Sequence, residues 1–504
     1  MDPASQSRRS RHSHFRASDF VLEVFAFLYI FAQTSSGSVH QLLLSISECI
    51  YGGKILPSDI SLRLATSQAG AVPDRLDRCA AAVANRSIGP EQVPLEDLVL
   101  SLPIVELACS FVICVILGGW SDAHGRKLHL ILALIGALIK DLAALVFVLA
   151  KMPGRDVIYG VTIASGLLGG TNLFTAGALC HVSDNSDHRS RTMRIGGLTF
   201  ALYVGRSSSV FIEQIWKPLV VHSFARVTVI VVSVQLVLNL VCFVGVIMVV
   251  RESLRIMPGY NGSPAWDFVC MRQLKRVVLF TVRKRSTKGR DFVLVLCAVF
   301  LLARFIYCGE QAVWAEYLFR RFGWTHQAAL MIGLQFVCEA VFTLLAVCVS
   351  QRLGFQDSSL AIAGTISFMG ASAVKAIALS GGMHGIAVIV GAFSPVMLIA
   401  VLALLSKLIQ PEELGCLFAN VAVLSIAAPM LANVAYWELF SATNAKVTEF
   451  IYLLSIFVGT LVCLLLVYIR RNLRIGNLGN LIQEEKVPLL RNLGQRPDFG
   501  AAIM

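Results

Sequence analysis

The chain predicts an all-α membrane protein of twelve transmembrane helices in two six-helix halves, and three observations carry that prediction. Of its 504 residues, 56% are hydrophobic and only 15% charged. An average soluble domain has about 25% charged residues, so this chain has too little charge to cover a water-facing surface. Next, twelve runs are apolar over the roughly 20 residues that a bilayer span needs. They lie at 20–44, 96–118, 128–150, 156–181, 195–216, 222–250, 291–318, 327–349, 358–380, 384–408, 412–437 and 446–469. Finally, a long basic segment at 251–290 divides these runs six and six.

The order of segments follows. A tail at 1–18 precedes the first half, 19–250, and the linker 251–290 leads to the second half, 291–470, and a tail at 471–504. The first run is longer than a signal-peptide core and no small-residue cleavage site follows it, so it reads as a span. The runs at 195–216 and 291–318 carry charges inside an apolar frame. In the linker, Trp266 to Arg285 alternates apolar and cationic residues at roughly helical spacing. That pattern suits an amphipathic helix on an anionic leaflet or a solvated linker.

The net charge of +12 is unevenly placed. Arg8, Arg9, Arg11 and Arg16 precede the first span, Arg126 and Lys127 follow the second, and Arg189, Arg191 and Arg194 follow the fourth. The linker is rich in Lys and Arg, and the opposite short loops are not. Positive-inside bias therefore puts both termini in the cytosol. The charge flanks spans with no reading module beside it, which argues against nucleic acid as a partner and leaves the lipid bilayer. On the other face, the loop 45–95 carries an N-glycosylation sequon at Asn85, usable only in a lumenal or extracellular compartment. The same loop holds Cys49 and Cys79. An oxidising compartment allows them to pair, and two free thiols are the alternative.

The stretch GGWSDAHGRK, Gly118 to Lys127, is a polar knot between two apolar runs. Glycine suits tight turns, and Gly118, Gly119 and Gly125 are in place to supply them. Asp122 is suited to cap a helix or to pair with Arg126. Such a knot locks two helices at one face and releases when the halves rock. VSQRLG, Val349 to Gly354, is a faint echo at the same place in the second half. Repeated halves of this kind are a transporter feature.

Gly118, Asp122, Gly125, Arg126 and Lys127 resemble the loop signature G-x-x-x-D-R-x-G-R-R of the major facilitator superfamily, with Ala123 where the first Arg stands. The resemblance implies the major facilitator fold and a cytosolic latch that meets the start of span eleven. There Glu412 and Glu413 would repel Asp122 unless Arg126 or Lys127 intervenes. SDNSDHRSRTMR (Ser183 to Arg194, with Arg189, Arg191 and Arg194), LSKLIQPEELGCLFA (Leu405 to Ala419) and LFSATN (Leu439 to Asn444) are similar to the proton-coupled folate transporter family of solute carriers. That likeness implies transport of small organic anions, folate-like or muropeptide-like, toward the cytosol, with protons as coupling ion and no other cofactor. The family's acidic residues in spans four and five fall here on Gly170 and Thr199, which speaks against folate itself. The cysteine that the family carries before span eight is missing, so the resemblance leaves Cys49–Cys79 as the disulfide.

Ionisable groups at mid-bilayer cost roughly 2.5–3.5 kcal/mol each on insertion scales, so they face a cavity or a partner. Lys140, Asp141, Arg206, Arg304, Glu310, Glu339 and Lys375 are the candidates for the substrate and proton pathway, while Glu106 and Glu316 read as span-end residues that reach water. Lys140 and Asp141 are adjacent, so one is expected at the cavity and the other against a neighbouring span. Gly309 is a candidate break in span seven. Arg206 offers a planar guanidinium for a carboxylate or phosphate. Glu339, surrounded by apolar residues, is the leading proton carrier. His181 and His384 lack spaced partners, so no enzyme constellation emerges. In the tail, Glu485, Leu489 and Leu490 match the E-x-x-x-L-L spacing of a sorting signal read by clathrin adaptors. It points to the lysosomal or endosomal membrane, with the plasma membrane as the alternative. A non-transporting receptor or scaffold on the same fold is the competing function.

Overall fold

The computed structural model describes residues 20–52, 95–150, 155–220, 223–253, 277, 280, 289–324, 326–410, 413–443 and 449–475. Twelve helical rods result. In the first half, span one is Val21–Gly52, two Leu95–His124, three Lys127–Ala150, four Arg155–Leu167 continued by Gly170–Asp184, five Arg191–Val220 and six Phe224–Met248. In the second, seven is Gly289–Phe322, eight His326–Leu353 and nine Asp357–Ala376. Span ten is Gly381–Val390 and Pro395–Leu408 joined by the 3-10 turn Gly391–Phe393, eleven is Leu414–Thr443 and twelve Phe450–Ile475.

Among the described residues, spans two to twelve are long and apolar enough to cross a membrane. Span one is diluted by the polar stretch from Gln33 to His40, and packing explains that stretch. Ser36 donates to Asp141 of span three at 2.7 Å, and Gln235 of span six donates to Ser35 at 2.7 Å. Its polarity is turned inward. Span one also runs to Gly52, so the first residues of the loop expected at 45–95, Cys49 included, are helical. Cys79, Asn85, Glu485, Leu489 and Leu490 lie outside the described residues, as do Cys49's side chain and nearly all of Trp266–Arg285. Val277 and Phe280 of that segment are buried, and the Val277 carbonyl accepts from Asn420 of span eleven at 3.1 Å.

Each half repeats one packing plan. Span one packs on five and six, three on six, and two on four; seven packs on eleven and twelve, nine on twelve, and eight on ten. The halves meet where span five lies on eight and span two on eleven, with four against eleven and ten against five filling in. The outward faces of spans six and twelve expose Ile230, Val234 and Val237, and Phe457, Leu461 and Leu464, as lipid-facing surfaces do.

Two glycines act differently from the sequence expectation. Gly118 lies inside span two and makes no turn. A Cβ there would strike the Ala419 side chain, so Gly118 permits backbone contact with span eleven. Gly309 breaks nothing, because span seven is one continuous helix; a Cβ would collide with the Tyr436 ring. The turn is made by Gly125, at φ +123°, a region that favours glycine.

Candidate functional site: a central cavity between the halves

Spans four and ten are interrupted at equivalent places in the two halves. In span four the chain turns at Gly169 and Gly170, with φ of +93° and +48°. In span ten Gly391–Phe393 precedes Pro395, whose ring cannot continue the hydrogen-bond ladder. A broken helix in a bilayer must satisfy its freed carbonyls within the protein. Ser110 of span two donates to the Gly169 carbonyl at 2.6 Å, and Ser367 of span nine to the Val390 carbonyl at 2.6 Å.

The segments after these breaks line a cavity of about 140 Å³ between the halves. Thr171, Asn172 and Thr175 of span four, with Thr199 of span five, form a polar wall on the first half. Phe300, Leu398, Ile399, Leu402, Phe418 and Val421 form an apolar wall on the second. Arg206 enters the lining from the first half and Arg304 from the second. Among the described residues neither makes a hydrogen bond or ion pair; Arg304 lies 6.0 Å from the Tyr307 ring centroid.

The other candidate intramembrane groups have ion-pair or hydrogen-bond partners. Lys140 meets Glu106 of span two at 2.8 Å. Asp141 accepts from Ser36 at 2.7 Å and from Asn239 of span six at 2.6 Å. Neither residue lines the central cavity, which corrects the expectation for this pair: both sides of span three at that level face other spans of the same half. Glu106 stands near the start of the apolar stretch Ile104–Asp122 of span two, and Glu316, near the end of span seven, pairs with Arg320. Lys375 pairs with Glu310 at 2.9 Å, and Ser372 donates to the other Glu310 oxygen at 2.5 Å. Glu339 is 1% exposed. It accepts from Tyr307 of span seven at 2.7 Å and from Gln335 at 2.5 Å.

One face of the bundle, carrying the basic loops, is closed by two matching contacts. In the first, Asp122 accepts from the Gly415 and Cys416 amides at 2.7 and 2.9 Å. These are free N–H groups at the start of span eleven, where an anion is favoured. Arg126, fully buried, bonds Asp122 at 2.6 Å and Asp184 at 3.2 Å. Arg126 thus answers the acidic approach that the sequence raised. Lys127 instead reaches the Ile247 carbonyl at 2.6 Å. In the second contact, Asp357 at the start of span nine accepts from Thr192 at 2.8 Å and from Lys407 at 2.5 Å. Arg191 donates to the Ser406 carbonyl at 2.7 Å. Arg194 pairs with Glu23 at 3.2 Å, and Arg189 is exposed.

Asp122→Ala is expected to cut the initial transport rate about tenfold or more while the amount of protein in the membrane holds. Removing one partner of a buried ion pair costs roughly 3–5 kcal/mol, and Asp184 retains part of it. Kinetics equal to wild type would show that this contact does not control cycling.

Sequence reading missed Thr171, Asn172, Thr175 and Asp357. The Gly169-Gly170 pair and Pro395, at matching places in the two halves, were the available signal for the first three. The VSQRLG echo pointed toward the fourth.

This architecture is the major facilitator fold, shared with solved transporter structures. The human organic anion transporter MFSD10 shares the fold, with a TM-score of 0.63 at 15% identity over 89% of this chain and 98% of that one. An E. coli fucose:proton symporter, FucP, does so at 0.57 and 14% over 88% and 98%. No family model matches the chain. Curated relatives are nearer in sequence. The lysosomal proton-coupled steroid conjugate and bile acid symporter SLC46A3 of Gallus gallus is 22% identical over 366 residues, 71% of this chain and 75% of that protein. The Bos taurus protein of that name is 24% identical over 72% and 78%. The probable peptidoglycan muropeptide transporter SLC46 of Drosophila melanogaster is 21% identical over 65% and 64%. The chain is similar to these SLC46 proteins at 21–24% identity over about two thirds to three quarters of its length.

Proposed function

We propose that the protein is a proton-coupled symporter that carries an amphipathic organic anion through the central cavity toward the cytosol. The observation that carries this reading is the pair of guanidiniums, Arg206 and Arg304, one from each half, which line one cavity and make no hydrogen bond or ion pair among the described residues. An unpaired cation in a bilayer interior is costly, and an anionic substrate group offsets that cost when it bridges the two. The polar wall on one half and the apolar wall on the other suit a substrate with hydroxyl groups and hydrocarbon. The relatives' steroid conjugates, bile acids and muropeptides guide the choice of panel. Glu339, buried and without a cationic partner at bonding distance, is the proton carrier. Positive-inside bias assigns the basic face to the cytosol, and on that reading the contacts at that face close the carrier to the cytosol. Lysosomal or endosomal residence rests on the tail signal Glu485, Leu489 and Leu490 and on the relatives' location.

The test is uptake of labelled steroid sulfates, bile acids, muropeptides and folates at pH 5.5 and 7.4. The carrier is placed at the cell surface by Leu489→Ala with Leu490→Ala. Acid-stimulated uptake of one class, inhibited by the others in order of anionic and amphipathic character, is expected. Absence of uptake for every class with the protein at the surface would return the scaffold reading to first place.

A further inference from the structure

A second pocket, of about 20 Å³, lies in the second half between spans seven, eight, nine and ten, on the side away from the basic face. It is separate from the central cavity, and the anion reading does not use it. A polar pocket of more than roughly 10–15 Å³ holds a water when two to four polar groups reach it. Two polar atoms here are buried with no partner: Gln311 Nε2, a donor, and Gln335 Oε1, an acceptor. Tyr307, Glu310, Trp314, Lys375 and Ser394 complete the polar lining.

We propose that this pocket is a water site, and that through it Glu339 exchanges its proton with the lumenal side by a route distinct from the anion path; the second part rests on the symporter reading above. Both groups that bond Glu339 line the pocket. Tyr307 donates to one carboxylate oxygen and Gln335 Nε2 to the other. A bound water accepts from Gln311 Nε2 and donates to Gln335 Oε1, which satisfies both orphaned atoms at once. A hydronium arriving there gives one proton to the Glu339 carboxylate and remains as water. The carboxylic acid returns that proton to water once the carrier faces the cytosol.

Ionisable groups gather around Glu339 from several spans. Span five brings Tyr203 and Arg206, span seven Tyr307, span nine Lys375 and span eight itself Cys338; span ten, which also packs on eight, brings His384, bonded to Trp314. Lys375 is already held by Glu310 and lies 5.3 Å from the Trp314 ring centroid. That leaves Arg206 as the cation that answers to both the proton site and the substrate. Separate routes let the proton load first, before the anion fills the central cavity.

Hydroxyl-radical footprinting of the purified, full-length protein reads the water directly, because buried side chains are oxidised where bound water supplies the radical. Tyr307 and Trp314 are only 2% and 4% exposed. They are expected to be labelled in the wild type, and Gln311→Leu is expected to cut that labelling about tenfold, the scale of one lost hydrogen bond. In proteoliposomes the same variant is expected to slow acid-driven anion uptake about tenfold, again the scale of one hydrogen bond, and to leave anion counterflow, which moves no net proton, unchanged. Gln335→Leu serves as the second variant with the same pattern. Unlabelled Tyr307 and Trp314 in the wild type would overturn the water site. Equal slowing of uptake and counterflow in both variants would overturn the separate proton route. Labelling is scored on the protein alone, so a wild type that carries no anion condemns the central-cavity reading and leaves the water site standing.

Discussion

Arg304→Ala together with Arg206→Ala is expected to abolish uptake of the anionic substrate and, at the same time, to raise the melting temperature of the empty carrier. The two effects have one cause. Each guanidinium sits in the cavity lining and, among the described residues, makes no ion pair with a carboxylate. Holding a cation at mid-membrane costs roughly 2.5–3.5 kcal/mol on insertion scales, and alanine removes that cost. The substrate loses two charge-assisted hydrogen-bonding partners, each contributing about 1.5–3 kcal/mol, or about tenfold to more than a hundredfold in affinity apiece. Single variants therefore raise the half-saturation concentration, and the double variant takes it out of range. Lysine at either position keeps the charge but loses the fork that binds a carboxylate or sulfate through two parallel bonds, so it recovers only part of the affinity. Saturation uptake with surface quantification, beside thermal unfolding in detergent, measures both halves of the prediction. A double alanine variant with wild-type half-saturation would remove the arginines from the substrate site.

Glu339→Gln is expected to leave a carrier that binds and exchanges its anion but no longer concentrates it in response to acid. Glutamine keeps the shape of the side chain and still accepts from Tyr307, whose hydroxyl lies 2.7 Å from the carboxylate. What it cannot do is take up and release a proton. Acid-driven uptake should fall to the level seen without a pH gradient, while counterflow persists. Asp141→Asn is the comparison. Its carboxylate is bonded to Ser36 and Asn239 inside the first half, away from the cavity, so it is expected to retain the acid response. If the responses of the two variants are reversed, Asp141 is the carrier and the first half houses the proton site.

Much of this was legible in the chain before any coordinates. Long apolar runs separated by basic loops report the solvent that each segment meets, and that pattern alone gives twelve spans in two halves. Arg206, Arg304 and Glu339 stood out because an ionisable group among apolar neighbours is conspicuous. Their grouping was not legible. Lys140, Asp141, Glu310 and Lys375 looked the same in sequence, and only helix rotation and neighbouring spans separate those with partners from those facing the cavity. Gly309 misled for a related reason. A glycine in a span reads equally as a break or as a place where another helix comes close, and the deciding Tyr436 ring lies more than a hundred residues along the chain. Span one reads as a span from its length; that its polar stretch turns inward was not legible, because its partners, Asp141 and Gln235, are far away in sequence.

The contact between Asp122 and the first amides of span eleven also makes the protein its own clock. The Gly415 and Cys416 N–H groups are held by a carboxylate at the interface between the halves. A deuteron from solvent replaces their hydrogens only in the moments when that contact parts. Their isotope exchange therefore counts openings of that face, substrate present or not, and separates how often the protein opens from how often an opening carries cargo.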